Sequence, residues 1–353
     1  MTRVINRRRI RRVGALAFAV LLFAGCATSM AAIRTPTPSR QLGTVLRSYT
    51  AHSMRVMAIA WSPDGKLVAS GSEDRTVQVW DAATGAHVVT YTGHHDGVSA
   101  VAWSPNGKYI ASGALDATTQ VWEAQTGHAA LTYQGQHATV NSISWSPDSS
   151  QIVTGADDGT AQVWKALSGE LVTTFKGHNS PVTAVAWAPD GKRIVSGGKD
   201  GTIQVWDAVS GRTLVTYREH TAKVTSLSWS PDSAAIVSGS LDRTARVWNP
   251  ATGATRYVYH GYRTDIATVQ PDKGIPANQI YVVAWSHDGK RIAAVTDVYC
   301  GDECGVVVVW DAATGANVRW FVDQPVFTLA WSPDDTRFAE GAGVTLAKVS
   351  WAG

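Results

Sequence analysis

A repeat of fixed length constrains this sequence more than any other feature. Two series of tryptophans recur at a spacing of 42 residues, with the later members displaced by insertions. The first series is Trp61, Trp103, Trp145, Trp187, Trp229, Trp285 and Trp331. The second is Trp80, Trp122, Trp164, Trp206, Trp248, Trp310 and Trp351. Fourteen of the 15 tryptophans belong to these series, which predicts seven copies of one structural unit.

Residues 181–221 contain one complete copy of the unit. Four stretches alternate in polarity with a period of two, which is typical of strands. They are 182–187, 193–197, 202–206 and 213–217. Between the first two, Ala-Pro-Asp-Gly has proline at the second and glycine at the fourth position of a turn. We therefore expect four antiparallel strands in each copy, forming one small sheet.

The motifs of the regular copies resemble those of the WD-repeat β-propeller family. Each such copy contains His-x3-Val-x2-(Val/Ile)-(Ala/Ser)-Trp-Ser-Pro-Asp-Gly, followed by Ser-Gly-x2-Asp-x-Thr-x-x-Val-Trp-Asp, and the resemblance covers roughly residues 42–353. It implies an all-β fold, a seven-bladed β-propeller of four-stranded antiparallel blades in one domain. Because a single four-stranded sheet is marginally stable, the blades are expected to pack face to face around a central channel.

The ends of the repeat region predict how the ring closes. The last copy has a first strand at 326–332 and a third near 344–351, and no fourth strand follows it before residue 353. Residues 44–49 have the pattern of a fourth strand, since Tyr49 lies 42 residues ahead of Tyr91. We therefore expect this N-terminal strand to complete blade seven and to pair an otherwise open edge.

Four polar positions recur in the best copies. They are His52, Ser70, Asp74 and Trp80 in blade one; His94, Ser112, Asp116 and Trp122 in blade two; His178, Ser196, Asp200 and Trp206 in blade four; and His220, Ser238, Asp242 and Trp248 in blade five. Blade three keeps Asp158 and Trp164, but has Gln136 for the histidine and Thr154 for the serine. Tryptophan only donates and ionised aspartate only accepts, so the four side chains can satisfy one another. The set resembles the structural tetrad of the WD-repeat family.

Serine, histidine and aspartate together also suggest a hydrolase, but the pattern argues against one. A catalytic triad is a single constellation at one substrate pocket, whereas this set occurs at least four times at one structural position. The acidic pairs Asp157-Asp158 and Asp334-Asp335 lie at turn positions, where aspartate bonds locally to the backbone, and this is favoured over calcium binding. We expect no catalytic residue, no metal site and no cofactor. In blades six and seven, Ala294 and Glu340 stand where the tetrad serine is expected.

The N-terminus has the order of a secretory signal. Six arginines precede an uncharged apolar run within residues 1–25. Phe23-Ala24-Gly25-Cys26 resembles a bacterial lipoprotein cleavage box, which makes Cys26 the predicted lipidation site, and residues 26–41 then form a polar tether. An uncleaved transmembrane anchor at 13–33 is the alternative, and a twin-arginine export signal stays open. Both the lipid anchor and the membrane-spanning anchor place the propeller outside the cytoplasm, on a bacterial membrane.

Charge and cysteine content fit this compartment. Six of the 31 basic residues and none of the 28 acidic residues precede Cys26, which leaves 25 basic and 28 acidic residues and a net charge of about −3. We therefore expect no nucleic-acid partner.

Cys300 and Cys304 form an even pair, which predicts a disulfide in an oxidising space. The alternative is a metal site that uses both thiolates with Asp302 or Glu303.

Candidate partner-binding residues lie in the least regular segments. In the propellers that this sequence resembles, connections between blades and turns between second and third strands emerge on one face. Two insertions fall there, at 262–278 and 297–305. They contribute Tyr262, Arg263, Asp265, Asp272, Tyr299, Asp302 and Glu303, and the regular blades add Arg55, Glu73, Asp157, Lys199 and Lys223. Because tyrosine and arginine dominate interfaces, Tyr262, Arg263 and Tyr299 are the preferred hot spots. The alternative is that the insertions only cover an irregular sixth blade.

Three functions follow from these features. The leading prediction is a non-enzymatic, monomeric propeller that is tethered to a membrane and binds a protein or peptide outside the cytoplasm. The second is an extracytoplasmic hydrolase or lyase that uses the irregular blades six and seven, because propellers also host enzymes. The third is a passive structural protein of the envelope.

Overall fold

The computed structural model describes residues 41–260, 279–297, 305–323, 325–343 and 345–352. Twenty-eight strands lie within these residues, and they form seven four-stranded antiparallel sheets. The seven-bladed propeller predicted from the repeat is therefore confirmed. In the part of the chain described, no helix has the length and apolar character needed to cross a membrane.

Blades one to three have the most regular strands. Blade one contains β2 (Val56–Trp61), β3 (Leu67–Ser72), β4 (Val77–Asp81) and β5 (His87–Tyr91). Blade two contains β6 (Val98–Trp103), β7 (Tyr109–Ala114), β8 (Thr119–Glu123) and β9 (Ala129–Tyr133). Blade three contains β10 (Val140–Trp145), β11 (Gln151–Ala156), β12 (Ala161–Lys165) and β13 (Leu171–Phe175).

Blades four and five continue the pattern. Blade four contains β14 (Val182–Trp187), β15 (Arg193–Gly198), β16 (Ile203–Asp207) and β17 (Thr213–Tyr217), each within one residue of its predicted bounds. Blade five contains β18 (Val224–Trp229), β19 (Ile236–Ser240), β20 (Thr244–Trp248) and β21 (Thr255–His260).

Blades six and seven complete the ring. Blade six contains β22 (Ile280–Trp285), β23 (Arg291–Asp297), β24 (Gly305–Asp311) and β25 (Arg319–Asp323). Blade seven contains β26 (Val326–Trp331), β27 (Arg337–Ala342), β28 (Leu346–Trp351) and, as its fourth strand, β1 (Val45–Tyr49). Since β1 pairs antiparallel with β28, the predicted closure is confirmed. The first strand of every blade contacts the first strands of both neighbours, so these strands line the central channel.

Aromatic stacks join each blade to the next. The tryptophan of the third strand is fully buried in blades one to five, and an aromatic side chain from the fourth strand of the preceding blade stacks on it. Tyr49 stacks on Trp80 with ring centroids 5.3 Å apart, and Tyr91 stacks on Trp122 at 4.6 Å. The Tyr49 hydroxyl also donates to Gln78 over 2.5 Å. Each blade therefore contributes to the core of its neighbour, which is why the blades are stable only as a ring.

Trp351 lies on the third strand of blade seven, as predicted, but one residue out of register with the other tryptophans of its series. Trp80 pairs with Val68 in blade one, and the equivalent pair in blade seven is Phe338 with Ser350. Trp351 lies one residue further on, at the position that Asp81 takes in blade one. The large and small side chains are exchanged: Phe338 on β27 is fully buried against Trp331, with centroids 4.4 Å apart, and the third-strand position holds a serine.

Candidate functional site

In blades one, two and five, the recurring polar side chains form a continuous line of hydrogen bonds from aspartate through histidine and serine to tryptophan. In blade one, the His52 Nδ1 atom lies 2.9 Å from an Asp74 carboxylate oxygen, and Nε2 lies 2.8 Å from the Ser70 hydroxyl. Trp80 Nε1 donates to the same hydroxyl over 3.4 Å. Burial alone would raise the pKa of Asp74, but hydrogen bonds from Thr76 and His52 hold that pKa below its ordinary value. The chain joins the blade entrance to its second and third strands.

Blade four has the same four residue types, but its hydrogen bonds differ at the aspartate. His178 still contacts Ser196 at 2.8 Å, and Trp206 donates to Ser196 over 3.2 Å, but the direct histidine bond to Asp200 is absent from these described residues. The predicted four-membered chain is therefore incomplete here. The reason is Gly198, which stands where blade one has Ser72. The Asp200 carboxylate occupies the empty space, since a Cβ on Gly198 would lie 2.6 Å from Asp200 Oδ1.

Replacing Gly198 with alanine is therefore expected to stabilise the protein. The new Cβ would also lie 2.9 Å from His178 Nδ1 and 3.1 Å from Ser180 Oγ, so these side chains must shift together with Asp200. Blade two shows that such an arrangement exists, since it has Ala114 at this position with its histidine–aspartate bond intact. Alanine also restricts the unfolded chain, so a gain of about 0.5–1 kcal/mol is expected. Thermal unfolding of the G198A variant measures this. A lower Tm would show that the space around Gly198 does not relax.

In blades three and six, other side chains supply the hydrogen bonds that the polar set makes elsewhere. In blade three, Gln136 Nε2 donates to the Thr154 hydroxyl over 2.9 Å, as the tetrad histidine contacts serine elsewhere. In blade six, where the sequence predicts loss of the serine, Ala294 takes its register position. Trp310 donates instead to the Tyr257 hydroxyl over 3.2 Å. These polar groups are thus satisfied within the fold, which is a structural role.

Blade seven replaces the polar set with an ion pair. Glu340 pairs with Leu329 and Lys348 across the sheet, as Ser70 pairs with Ile59 and Gln78 in blade one. The Glu340 carboxylate lies 3.2 Å from Lys348 Nζ, and the two side chains are 0% and 1% exposed. Burial raises the pKa of Glu340 to about 8 and lowers the pKa of Lys348 to about 8. The pair is sealed from solvent, so it has no access to a substrate.

An exposed histidine contacts an aspartate where blades six and seven meet. His287 Nδ1 lies 3.0 Å from Asp335, whose carboxylate also accepts the backbone N–H groups of His287 and Asp288. Ser149 and Ser233 make the equivalent bond between other blades, by accepting the N–H of Asn106 and Asp190. This contact therefore joins two turns, and it does not require a catalytic role. Within the described residues no cluster of three or more histidine, cysteine, aspartate or glutamate side chains could hold a metal ion.

A β-bulge near the start of each first strand builds a ring of side chains at the channel entrance. The strand register shifts at the second residue of every first strand, and such bulges redirect a side chain. We call the seven bulge residues the entrance set. Its members are Met57, Ser99, Asn141, Thr183, Thr225, Tyr281 and Phe327.

Four members of the entrance set are polar and bond to the next blade. Ser99 and Thr183 donate to the carbonyl oxygens of Val140 and Val224. Asn141 donates to Val182 over 3.0 Å, and Thr225 donates to Ile280 over 2.6 Å. Blades two to five thus use this position to bridge neighbouring inner strands.

The other three members are large and apolar, and they come from consecutive blades. We call Tyr281, Phe327 and Met57, of blades six, seven and one, the apolar arc. Tyr281 is 39% exposed and Met57 is 37% exposed. The Arg55 guanidinium stacks on the Phe327 ring, with 4.8 Å between its Cζ atom and the ring centroid, which joins blades one and seven. Three of the seven entrance positions are therefore apolar, and two of these side chains are exposed to solvent.

Comparison with known families agrees with this architecture. Residues 139–352, well over half of the chain, match the family model described as IFT122 first beta-propeller. Residues 43–81 and 85–123 match the model described as WD domain, G-beta repeat. The chain belongs to the WD-repeat β-propeller family. This agrees with the repeat motifs and with the seven blades of the structure.

Two curated proteins share short stretches with this WD-repeat propeller. Protein Mut11 of Chlamydomonas reinhardtii is 48% identical over 65 residues, which is 18% of this chain and 18% of Mut11. Vegetative incompatibility protein HET-E-1 of Podospora anserina is 50% identical over 34 residues, which is 10% of this chain and 2% of HET-E-1. The chain thus spans less than a fifth of either relative, and the similarity covers no more than about two repeats.

Many of the partner-binding residues proposed from the sequence lie outside the described residues. They are Tyr262, Arg263, Asp265, Asp272, Tyr299, Asp302 and Glu303, and the same holds for Cys26, Cys300 and Cys304. Arg55 and Glu73 form an exposed ion pair with each other at 3.6 Å. Asp157 accepts a hydrogen bond from Asn141 over 2.7 Å, whereas Lys199 and Lys223 are exposed.

The apolar arc of this WD-repeat propeller was missed in the sequence. A signal was present, since residues 57, 99, 141, 183 and 225 lie 42 apart. Aligning that column would have shown four polar residues in succession and a methionine outside them. The side chains that the alignment does not place are Tyr281 and Phe327, because the insertions displace them from the regular spacing.

Proposed function

We propose that this WD-repeat propeller is a protein-interaction scaffold that binds an extended segment of a partner protein at the channel entrance. The apolar arc is the observation that carries the proposal. Two of its residues are aromatic, and aromatic side chains dominate binding energy in interfaces. The third, Met57, is flexible and adapts to different surfaces. Met54 of blade one and Leu115 of blade two are further exposed apolar side chains, at 47% and 48%.

The rigidity of the entrance supports this proposal. Each residue of the apolar arc belongs to an inner strand that is held by its own sheet and by two neighbouring inner strands. The backbone of such a strand is pre-organised, so binding has to order only the side chains. The polar members of the entrance set satisfy their hydroxyl and amide groups within the ring, whereas Met57 and Tyr281 keep more than a third of their surface exposed.

A set of threonine replacements tests the proposal without disturbing the bulges. Thr183 and Thr225 show that threonine fits this position and bonds to the next blade. The triple variant Met57→Thr, Tyr281→Thr and Phe327→Thr should therefore fold, while losing the apolar arc. The matched control is Val209→Thr. Val209 is 77% exposed in the turn between β16 and β17, on the opposite face of the ring.

The measurement uses twelve-residue random peptides, displayed and selected on the immobilised full chain. Selected peptides are expected to bind the triple variant about 30-fold or more weakly, which corresponds to the loss of one interface hot spot. They should bind the Val209→Thr control as they bind the wild type. Unchanged affinity for the triple variant would contradict the proposal, as would a selection that yields no binders.

We also propose that the scaffold acts outside the cytoplasm as a monomer, attached to a membrane through its N-terminal segment. The support is the order of arginines, apolar run and Cys26 in residues 1–26. If lipidation anchors the protein, Cys26→Ser should release it from membranes or change its processing. Fractionation and gel mobility measure this. Retention with unchanged mobility would contradict the lipid anchor and favour a spanning segment at 13–33.

A further inference from the structure

A pair of lysines lies at the blade boundary that precedes the apolar arc in the order of the blades around the ring. Lys199 follows the second strand of blade four, and Lys223 precedes the first strand of blade five. At the boundary of blades one and two, the same two positions are held by Glu73 and Gly97. A Cβ placed on Gly97 would lie 3.3 Å from Glu73 Cα, so the two positions are close in space. The repeat therefore brings Lys199 and Lys223 together across the boundary between two blades. We call them the basic pair.

The turn that follows Lys199 packs closely against the chain that enters blade five, which agrees with the two lysines being neighbours. Gly201, two residues after Lys199, approaches the chain entering blade five so closely that a Cβ would lie 2.9 Å from the Ala222 carbonyl oxygen. The backbone N–H of Lys199 donates to Pro181, and the N–H of Leu241 donates to Lys223. Both lysines are thus fixed at the rim by their backbones, while their side chains remain exposed.

The basic pair has no acidic partner among the described residues. By contrast, the blade-one cation Arg55 pairs with Glu73 at 3.6 Å and also stacks on Phe327. Two lysines at facing backbone positions add like charges to the rim and no ion pair to the isolated fold. Such an arrangement is suited to attracting an anionic group from a partner.

The order of residues around the ring links the basic pair to the apolar arc. The basic pair lies where blade four meets blade five, Tyr281 follows in blade six, Phe327 in blade seven and Met57 in blade one. On the other side, blades two and three present Asp96 and Asp157, and Asp157 stands at the position that Lys199 takes in blade four. The rim is therefore basic at one end of the apolar arc and acidic beyond the other end.

We propose that the partner segment is an acidic peptide, with an apolar anchor on the arc and a carboxylate side chain at Lys199 and Lys223. This inference rests on the scaffold function proposed above. Packed sheets are about 10 Å apart, so the basic pair lies ~10–20 Å from Tyr281, the nearest member of the arc. About three to six residues of extended chain cover that distance. The acidic rim of blades two and three repels the acidic end, which fixes the direction of the segment.

The test is the same peptide selection on the full chain, followed by charge reversal. Selected peptides are expected to place aspartate or glutamate about three to six residues from a Phe, Leu, Met or Trp. The double variant Lys199→Glu and Lys223→Glu should bind them at least tenfold more weakly, and a selection on that variant should enrich lysine and arginine instead. Lys192→Glu, on the opposite face, is the matched control and should leave binding unchanged.

The outcomes separate the two proposals. If the selected peptides need the apolar arc but carry no acidic residues, and charge reversal leaves their affinity unchanged, the acidic-partner inference is overturned and the scaffold proposal stands. If neither the charge reversal nor the triple threonine variant weakens binding, both proposals are overturned. Loss of binding in both variants, with basic peptides selected by the reversed pair, supports both.

Discussion

Replacing Lys348 with methionine is expected to lower the free energy of unfolding by about 1–3 kcal/mol, because it leaves the fully buried Glu340 carboxyl group without its polar partner. Glu340 is fully buried and lies 3.2 Å from Lys348 Nζ in the wild type. Methionine has a similar volume, so the loss would come from electrostatics. Chemical denaturation of the full chain measures the change.

The buried Glu340 carboxyl group should make stability fall with pH, in the wild type as in the Lys348→Met variant. Burial raises the pKa of Glu340 from about 4.5 to about 8. Stability that depends on the neutral carboxylic acid is fully present below the unfolded pKa and is lost as pH rises through the folded pKa. Both proteins are therefore expected to lose stability between pH 5 and pH 8, relative to a variant that lacks Glu340. Wild-type stability that stays constant between pH 5 and pH 8, relative to that variant, would contradict this account.

A double variant provides the matched control for the ion pair. Combining Glu340→Leu with Lys348→Met removes both charges and keeps the side chains large and apolar. Replacing a buried ion pair in this way is commonly neutral or stabilising, so the double variant should recover most of the stability that the single variant loses. It should also lose the pH dependence between pH 5 and pH 8. A double variant as unstable as Lys348→Met would show that packing, rather than charge, is the cause.

Removing residues 42–50 is expected to have the second large effect, because it deletes β1. Blade seven would keep three strands and expose the edge of β28. Trp80 would also lose the stacked ring of Tyr49, and Gln78 would lose its hydrogen bond. We expect a loss of at least about 3–5 kcal/mol, as for deletion of one buried aromatic side chain, together with aggregation. Thermal unfolding and light scattering measure both.

A transposed strand separates ring closure from other effects of the deletion. Residues 42–50 can be moved to follow residue 353 through a turn copied from Asp81–Ala86, so that they can pair with β28 in the same direction. The ring should then close and most of the lost stability should return. Equal stability of the wild type and the deleted chain would contradict the closure, and so would a transposed chain no more stable than the deleted one.

The fold could be predicted from the sequence because the repeat restates one pattern many times. The tryptophans, the Asp-Gly turns and the alternation of Val182–Trp187 all point to the same unit, and Tyr49 shows its last strand. The register of β28 could not be predicted in this way. Trp351 continues the tryptophan series in the sequence. In the structure, however, Ser350 takes the register position of Trp80, and Phe338 on the neighbouring strand supplies the large buried side chain.

The candidate site was only partly predictable, since its elements depend on contacts between blades. The sequence indicated that the rim carries Lys199 and Lys223. Whether a carboxylate lies close enough to pair with them could be seen only from the distances in the structure. Glu340 was recognised as a substitution in the polar set, whereas its bond to Lys348 follows from the strand register. The apolar arc depends on bulges, which change the direction of a side chain without changing the hydrophobic pattern.

Photo-crosslinking at the channel entrance tests the central claim most directly. A benzophenone amino acid is placed at position 57 in one full-length variant and at position 209 in another, and each is irradiated with a peptide selected on the wild type. Position 57 lies in the apolar arc, and position 209 lies on the opposite face. The account predicts a crosslink from position 57, removed by excess unlabelled peptide, and none from position 209. A crosslink from position 209 alone, or equal yields from both positions, would contradict it.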